Sequence, residues 1–314
     1  MKPVLAIALN PTIDVASQAR RVQPTFKIRT RNQQVYPGGG GTNVARVIAE
    51  LGGSAELAYL AGGATGPVFE GLLAGTGITL HGFPMQGAVR ISVTIFEEET
   101  GFEEETGFEY RAVPEGPEVT GAELEPVFDL VRSVRQGYIV ASGSLPRGCP
   151  ADAYARMAMI AEANGVPFVL DTSGEALTQT LEKAKVFLLK PSIGELSAHA
   201  GRKLDEDGAV EVASAIVESG AAENIAVTMG RDGAFLASRD GVIRRPPVHV
   251  KTQSAVGAGD SFLAAMVFRL ASGAAMQEAF EYGLAAGAAA AMTPGTVLCR
   301  RADVEALYAG MLAR

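Results

Sequence analysis

Short apolar runs that fit buried strands recur along the chain with helical segments between them, and this alternation restricts the fold more than any other property of the sequence. The runs lie at 4–9, 55–60, 137–141, 167–171, 186–189 and 224–228. Each is nearly continuous in apolar residues, as a strand covered on both faces requires. Apolar residues at helical spacing predict helices near 44–52, 64–75, 120–135, 151–164, 207–219, 259–272 and 276–292. Strand and helix in turn imply an α/β fold: a central, mostly parallel sheet with helices on both faces. In such sheets ligands bind beyond the carboxyl ends of strands. Ser142-Gly143-Ser144, Asp171, Lys190 and Thr228-Met229-Gly230 close predicted strands and are expected around one crevice.

Two segments break the rhythm. Residues 26–31 and 89–96 alternate apolar with polar, the period of a strand with one buried face, and predict a separate small sheet. On the second, Val89, Ile91, Val93 and Ile95 share one face, leaving Arg90, Ser92 and Thr94 on the other. Next to it Phe96-Glu97-Glu98-Glu99-Thr100-Gly101 is repeated at once as Phe102-Glu103-Glu104-Glu105-Thr106-Gly107. Six is even, so the repeat keeps each side chain on its face of a strand. It reads as a tandem duplication at a hairpin tip with solvated glutamates.

Two glycine clusters carry the chemistry. Val256-Gly257-Ala258-Gly259-Asp260-Ser261 opens an apolar helix. Glycines there let successive N–H groups turn one way, the helix start adds its positive end, and the two together favour an anion. Asp260 at the rim is placed to take a proton from a hydroxyl attacking a phosphoryl group. The same residues also fit a plain glycine-rich turn with Asp260 as N-cap. Pro37-Gly38-Gly39-Gly40-Gly41-Thr42-Asn43 runs into a second helix. No Gly-Lys-Ser/Thr follows, so it is not a Walker loop, and no clean strand precedes it as a dinucleotide fingerprint needs.

With these clusters, together with Asn10-Pro11-Thr12-Ile13-Asp14, Ala61-Gly62-Gly63-Ala64-Thr65-Gly66, Ser142-Gly143-Ser144-Leu145-Pro146 and Asp171-Thr172-Ser173-Gly174-Glu175, the chain resembles the ribokinase-like (PfkB) sugar kinases over essentially all 314 residues. The resemblance implies one kinase domain over 1–314, with a lid formed by roughly 12–36 and 87–113 that covers the sugar and pairs with a second lid in a homodimer. The likeness is nearest to the phosphofructokinase branch, of the minor 6-phosphofructokinase type. Gly40 stands where 1-phosphofructokinase and tagatose-6-phosphate kinase types usually carry lysine, and Gly295-Thr296-Val297-Leu298-Cys299 also matches this branch. The implied reaction is in-line transfer of the ATP γ-phosphoryl group to the C1 hydroxyl of fructose 6-phosphate.

By the same resemblance Asp260 is the base, with backbone at Gly257, Ala258 and Gly259 as the anion hole. Asp14, Gly38, Gly39, Asn43 and Ser144 hold the sugar, and Arg90, Lys27 and Arg29 its phosphate, the last two assisting from the lid or across the dimer. Lys190, Ser192, Thr228, Gly230, Thr252 and Gly287 face the nucleotide. Glu195 holds Mg²⁺ through water, and K⁺ near Thr252 to Ala255 is compatible with the pattern. Structural readings stand beside these: solvated edge-strand charges for Lys27, Arg29 and Arg90, a turn aspartate for Asp14, and a first-turn acid for Glu195. Ser192 departs from a family stretch that usually reads Asn-x-x-Glu. The helix end that favours phosphate also favours ionised Asp260, which would weaken it as a base.

Composition agrees with a soluble enzyme. Hydrophobic residues make up 47% of the chain, enough for a large core, and a formal charge of -8 argues against a nucleic-acid partner. Cys149 and Cys299 are too few for a disulfide framework and suit a reducing cytoplasm. The apolar stretch at 283–292 is about half a membrane span, so no membrane partner is expected. His81, His199 and His249 lack metal-ligand spacing. The rival readings are another phosphosugar kinase, a non-catalytic sugar-phosphate sensor on the same scaffold, and a nicotinamide-dependent dehydrogenase.

Overall fold

The computed structural model describes residues 1–98 and 108–313. Nine strands form the central sheet: β1 (Val4–Ala8), β4 (Ala55–Gly62), β5 (Thr79–Met85), β8 (Tyr138–Ser142), β9 (Phe168–Asp171), β10 (Val186–Leu189), β11 (Ala222–Thr228), β12 (Ala234–Ser238) and β13 (Gly241–Arg245), in the order β13-β12-β11-β10-β9-β8-β1-β4-β5. Pairing is parallel from β5 to β11, and only β12 and β13 are antiparallel. Every residue of β1, β8 and β9 is buried, as helices on both faces demand. β1 is flanked by β4 and β8, so the chain leaves it in one direction and later returns on its other side. The crevice of such a sheet opens at that point.

The helices are α1 (Gly40–Glu50), α2 (Gly66–Leu73), α3 (Gly121–Ser133), α4 (Ala153–Ala163), α5 (Gly174–Lys183), α6 (Ile193–His199), α7 (Glu206–Ser219), α8 (Ala258–Ala271), α9 (Met276–Ala291) and α10 (Arg301–Leu312). α8 packs on α9 and α1, whereas α3 to α7 pack in sequence order. The predicted strands of the central sheet and all seven predicted helices are present, with ends moved by a few residues. Sequence patterning overlooked β5, β12, β13, α5, α6 and α10. The strand β5 is mostly exposed, without the apolar run that identified its neighbours.

A second sheet has the order β3-β2-β6-β7, from β2 (Thr12–Ala19), β3 (Thr30–Gly38), β6 (Arg90–Glu97) and β7 (Glu109–Ala112). One expectation needs correction here. Residues 26–29 are not strand: β2 ends at Ala19, which pairs with Thr30, so nothing lies alongside them to complete a ladder. The alternation of β6 separates its two faces as expected. Ser92 and Thr94 are 8% and 4% exposed, whereas Ile91 is 42% exposed. Polar side chains face the crevice, and Ile91, Val93 and Ile95 lie on the opposite face with Val15 and Val35. The hexapeptide duplication falls largely outside the described residues.

The glycine run before α1 is explained position by position. Gly39 is the N-cap at φ 93°, a left-handed value that glycine adopts without strain. A Cβ on Gly38 would meet the Asp14 carboxylate at 2.0 Å, one on Gly40 the Ser142 Oγ at 2.3 Å, and one on Gly41 the Ile7 carbonyl oxygen at 2.2 Å. The first turn of α1 thus lies directly on the carboxyl ends of β1 and β8. Gly41→Ala has backbone as its obstacle and cannot be relieved by a rotamer change, so it is expected to destabilise the fold by about 1–3 kcal/mol or more, measured as a lower urea midpoint at unchanged m-value.

Candidate active site

The N-terminus of α8 sits over the crevice. Its N-cap is Gly257 at φ 74°, and Asp260 is the third helical residue, so the reading of Asp260 as a cap is set aside. The Ala258 N–H turns back to Ala255 O at 3.4 Å and that of Ser261 bonds Gly257 O at 2.8 Å. Among the described residues the N–H groups of Gly259 and Asp260 have no backbone partner, as at any helix start, which makes a ready anion site. Gly259 is also where a Cβ would come within 3.2 Å of Lys190 Nζ. Lys190, delivered by the end of β10, therefore brings its ammonium to the same helix end.

Lys190 is buried and pairs with Asp171 at 3.2 Å, and Asp171 also accepts from Ser142 Oγ at 3.3 Å. Burial pushes the Asp171 carboxyl up to about 6 against the pull of Lys190. Burial acts to lower the Lys190 ammonium, but Asp171, Glu195 and Asp260 outweigh it and its pKa is raised. Asp260 accepts a 2.8 Å hydrogen bond from Asn43 Nδ2. Its pKa is raised by burial, opposed by that bond and by Lys190. The expectation that the helix end leaves Asp260 a weak base is thus outweighed by desolvation.

On the sugar side, Asp14 on β2 is buried, accepts from Ser92 Oγ of β6, and is raised by its burial. Arg90 is fixed by donating Nη1 to Pro114 O at 2.8 Å and Nη2 to Asn10 O at 2.9 Å, and its buried Nε has no partner among the described residues. Asn10 Nδ2 reaches Ser144 Oγ at 3.2 Å. Arg90 and Ser144 line a cavity of about 420 Å³, with Arg147 on its rim. Lys27 and Arg29 are exposed in the β2–β3 connection, and no contact ties them to that cavity. Arg111 of β7 was not expected, yet its charge is felt by both Asp14 and Asp260.

On the far side, Ser192 and Glu195 form a capping box at α6. Ser192 Oγ accepts from Glu195 N at 3.2 Å, while Glu195 Oε2 accepts from Ser192 N at 2.7 Å and from its hydroxyl at 2.9 Å. Serine at this position is therefore used as a cap, a role the sequence reading did not foresee. Thr228 joins Pro191 by a 3.1 Å backbone bond, and Gly230 at φ 61° starts a single 3-10 turn. Gly287 on α9 faces Ala258 O, where a Cβ would lie 3.3 Å away. Thr252 stands apart from Lys190, lining a cavity of about 490 Å³ with Gln18, Gln34 and Phe96 of the small sheet and Gly295.

The buried pair yields a test. Asp171→Asn leaves the Lys190 ammonium without its nearest counter-ion, and removing one partner of such a pair is expected to cost about 3–5 kcal/mol. The folded carboxyl at about 6 binds its proton more tightly than the ordinary value of 3.8. The contribution of this carboxyl to stability therefore falls as pH rises from 3.8 through about 6. Asp171→Asn is expected to make that slope shallower, measured by urea unfolding at pH 4–7.

The comparisons with known proteins agree with this geometry. The model of the pfkB family of carbohydrate kinases matches residues 3–303. The chain is 37% identical over 308 residues to the ATP-dependent 6-phosphofructokinase isozyme 2 of Mycobacterium tuberculosis, covering 97% of this chain and 88% of that one. It is 36% identical over 311 residues to the isozyme 2 of Escherichia coli, covering 98% and 99%. The crystal structure of the Escherichia coli phosphofructokinase-2 in complex with potassium superposes with a TM-score of 0.92 at 35% identity over 100% of both chains. The chain belongs to the pfkB family of carbohydrate kinases.

Proposed function

We propose that the chain is an ATP-dependent 6-phosphofructokinase that phosphorylates fructose 6-phosphate at C1. The observation that carries this reading is Asp260, half-buried at the α8 N-terminus, held by Asn43 and within the field of Lys190. Asp260 takes the proton of the C1 hydroxyl, and its raised pKa suits that task better than an ordinary carboxylate. The N–H groups of Gly259 and Asp260, with the Lys190 ammonium, balance charge on the transferring phosphoryl group. Asp14 and Ser144 orient the sugar by its hydroxyls, and Arg90 meets its phosphate. The names of the matched 6-phosphofructokinases support the substrate. So does Gly40, since a side chain there would collide with Ser142.

Ser192, Thr228, Gly230, Thr252 and Gly287 face the nucleotide in this reading, with Lys190 at its phosphate end. Among the described residues no cluster of three metal-ligating side chains occurs, which suits Mg²⁺ held mainly by substrate phosphates and water. Glu195 fits as the water-mediated contact because its Oε1 has no bonded partner among the described residues. Bound there, Mg²⁺ would neutralise the charge that develops on the phosphates. K⁺ near Thr252 to Ala255 is part of the reading, supported by the potassium complex of the Escherichia coli relative.

The small sheet, roughly 12–36 and 87–113 within one domain of 1–314, acts as the lid. Its exposed Ile91, Val35 and Phe26, the last 72% exposed, support a homodimer closed through that face. There Lys27 and Arg29, exposed in the β2–β3 connection, would serve the partner's phosphosugar. Two free cysteines, their thiols pushed up to about 12 by burial, support a cytoplasmic setting. No described helix is long and apolar enough to cross a membrane.

The test is ADP release with Mg-ATP across fructose 6-phosphate, fructose 1-phosphate, tagatose 6-phosphate and fructose. Preference for fructose 6-phosphate is expected, another phosphosugar would redirect the substrate, and no turnover would favour the sensor. Asp260→Asn is expected to lower kcat by about 10²–10⁴-fold with fold and ATP binding kept; near-normal turnover would remove it as the base.

A further inference from the structure

Asn43 has an amide with two unlike ends, and only one orientation presents a donor to Asp260. Its Nδ2 bonds Asp260 Oδ2 at 2.8 Å, while its Oδ1 accepts from Arg46 Nη1 at 3.2 Å. Arg46 lies three residues on along α1, the spacing that stacks two side chains on one helix face. The same Nη1 donates to Pro37 O at 2.9 Å, and the guanidinium lies 5.6 Å from the centre of the Tyr36 ring. Arg46 is therefore anchored at two points of β3 before it touches Asn43. An arginine has donors and no acceptor, so the contact admits only the amide oxygen. Turned over, Asn43 would press its NH₂ against the guanidinium and its oxygen against the Asp260 carboxylate.

The geometry points to Arg46 as a positioning residue that fixes the Asn43 amide and so keeps a hydrogen-bond donor aimed at Asp260. The inference rests on Asp260 as the base, and it assigns Arg46 no contact with either substrate. Burial lowers the Arg46 pKa, but the charges of Asp14 and Asp260 oppose this, and a guanidinium stays charged throughout the working range. Other charged groups also act on Asp260: Lys190 after β10, Glu195 on α6, Asp171 on β9, Arg111 on β7 and Asp14 on β2. A change in the charge near Asp260 would be felt whatever Asn43 did, so a shift in titration alone does not separate positioning from a field effect. Coupling between residues 43 and 46 does.

The experiment is a double-mutant cycle of Arg46→Met and Asn43→Ala on the full-length enzyme, with kcat, KM for fructose 6-phosphate and the acid limb of kcat/KM against pH. Arg46→Met alone is expected to lower kcat by about ten- to a hundredfold, the worth of a hydrogen bond to a charged acceptor, with KM changed less than kcat. Losing the aimed donor raises the Asp260 pKa, so the acid limb should move to higher pH in both single variants. In the Asn43→Ala background, Arg46→Met is expected to change kcat by less than about threefold. Equal losses in both backgrounds would overturn the proposal, because Arg46 would then act independently of Asn43. If Arg46→Met does not fold, as judged by circular dichroism, Arg46→Leu, which also lacks a donor, takes its place in the cycle, and wild-type turnover in that variant would likewise overturn the proposal. Failure of Asp260 as the base is a separate result, read from near-normal turnover of Asp260→Asn.

Discussion

Two helix starts meet over the carboxyl ends of β1 and β8, and the hydrogen bond between Asn43 of α1 and Asp260 of α8 joins them. The meeting is possible because the first turn of α1 carries no side chains on the strand side: Gly40 lies on Ser142 and Gly41 on Ile7. Any bulk there would lift α1 and take Asn43 away from Asp260. Packing of the smallest residues and the chemistry of the largest charges are one problem in this crevice. Close approach excludes water, and the exclusion of water is what raises Asp14, Asp171 and Asp260 together.

Three desolvated carboxylates would repel one another without fixed cations between them. Lys190 answers Asp171 directly and is felt by Asp260, while the Arg46 charge acts on Asp14 and Asp260. These cations arrive on rigid elements, a strand end and a helix, and are held before any phosphate enters. A site arranged in advance need not reorganise when charge moves, and this is where such preorganisation lowers a barrier.

Much of this was legible in the sequence. The buried strands announced themselves as apolar runs, and the glycine clusters marked both helix starts, with Asp260 and Asn43 correctly placed at the crevice. Asp171 and Lys190 could be placed because they close such runs. Arg46 carried a readable signal, three residues beyond Asn43 on a predicted helix, but nothing local distinguishes a half-buried arginine from a solvated one. Ser192 was read against a family pattern, and its role as a cap emerged only with Glu195 folded back onto it. The small sheet was legible in part: alternation separated the two faces of β6, but residues 26–29 alternate with no described neighbour to pair with. An apolar face usually goes to the core, but here the polar face covers the crevice.

The connection between the small sheet and the central domain has its own mechanical meaning. β3 ends at Gly38 and α1 begins at Gly40, so a single residue, Gly39, separates a strand of one sheet from the helix that carries Asn43. There is no slack in that joint. A rigid strand coupled through one pivot to a rigid helix behaves as a crank: angular displacement on one side must be absorbed at the pivot or passed on to the other. Any swing of the small sheet that the Gly39 pivot does not absorb is thus passed to the helix start beside Asp260, without a messenger other than the backbone itself.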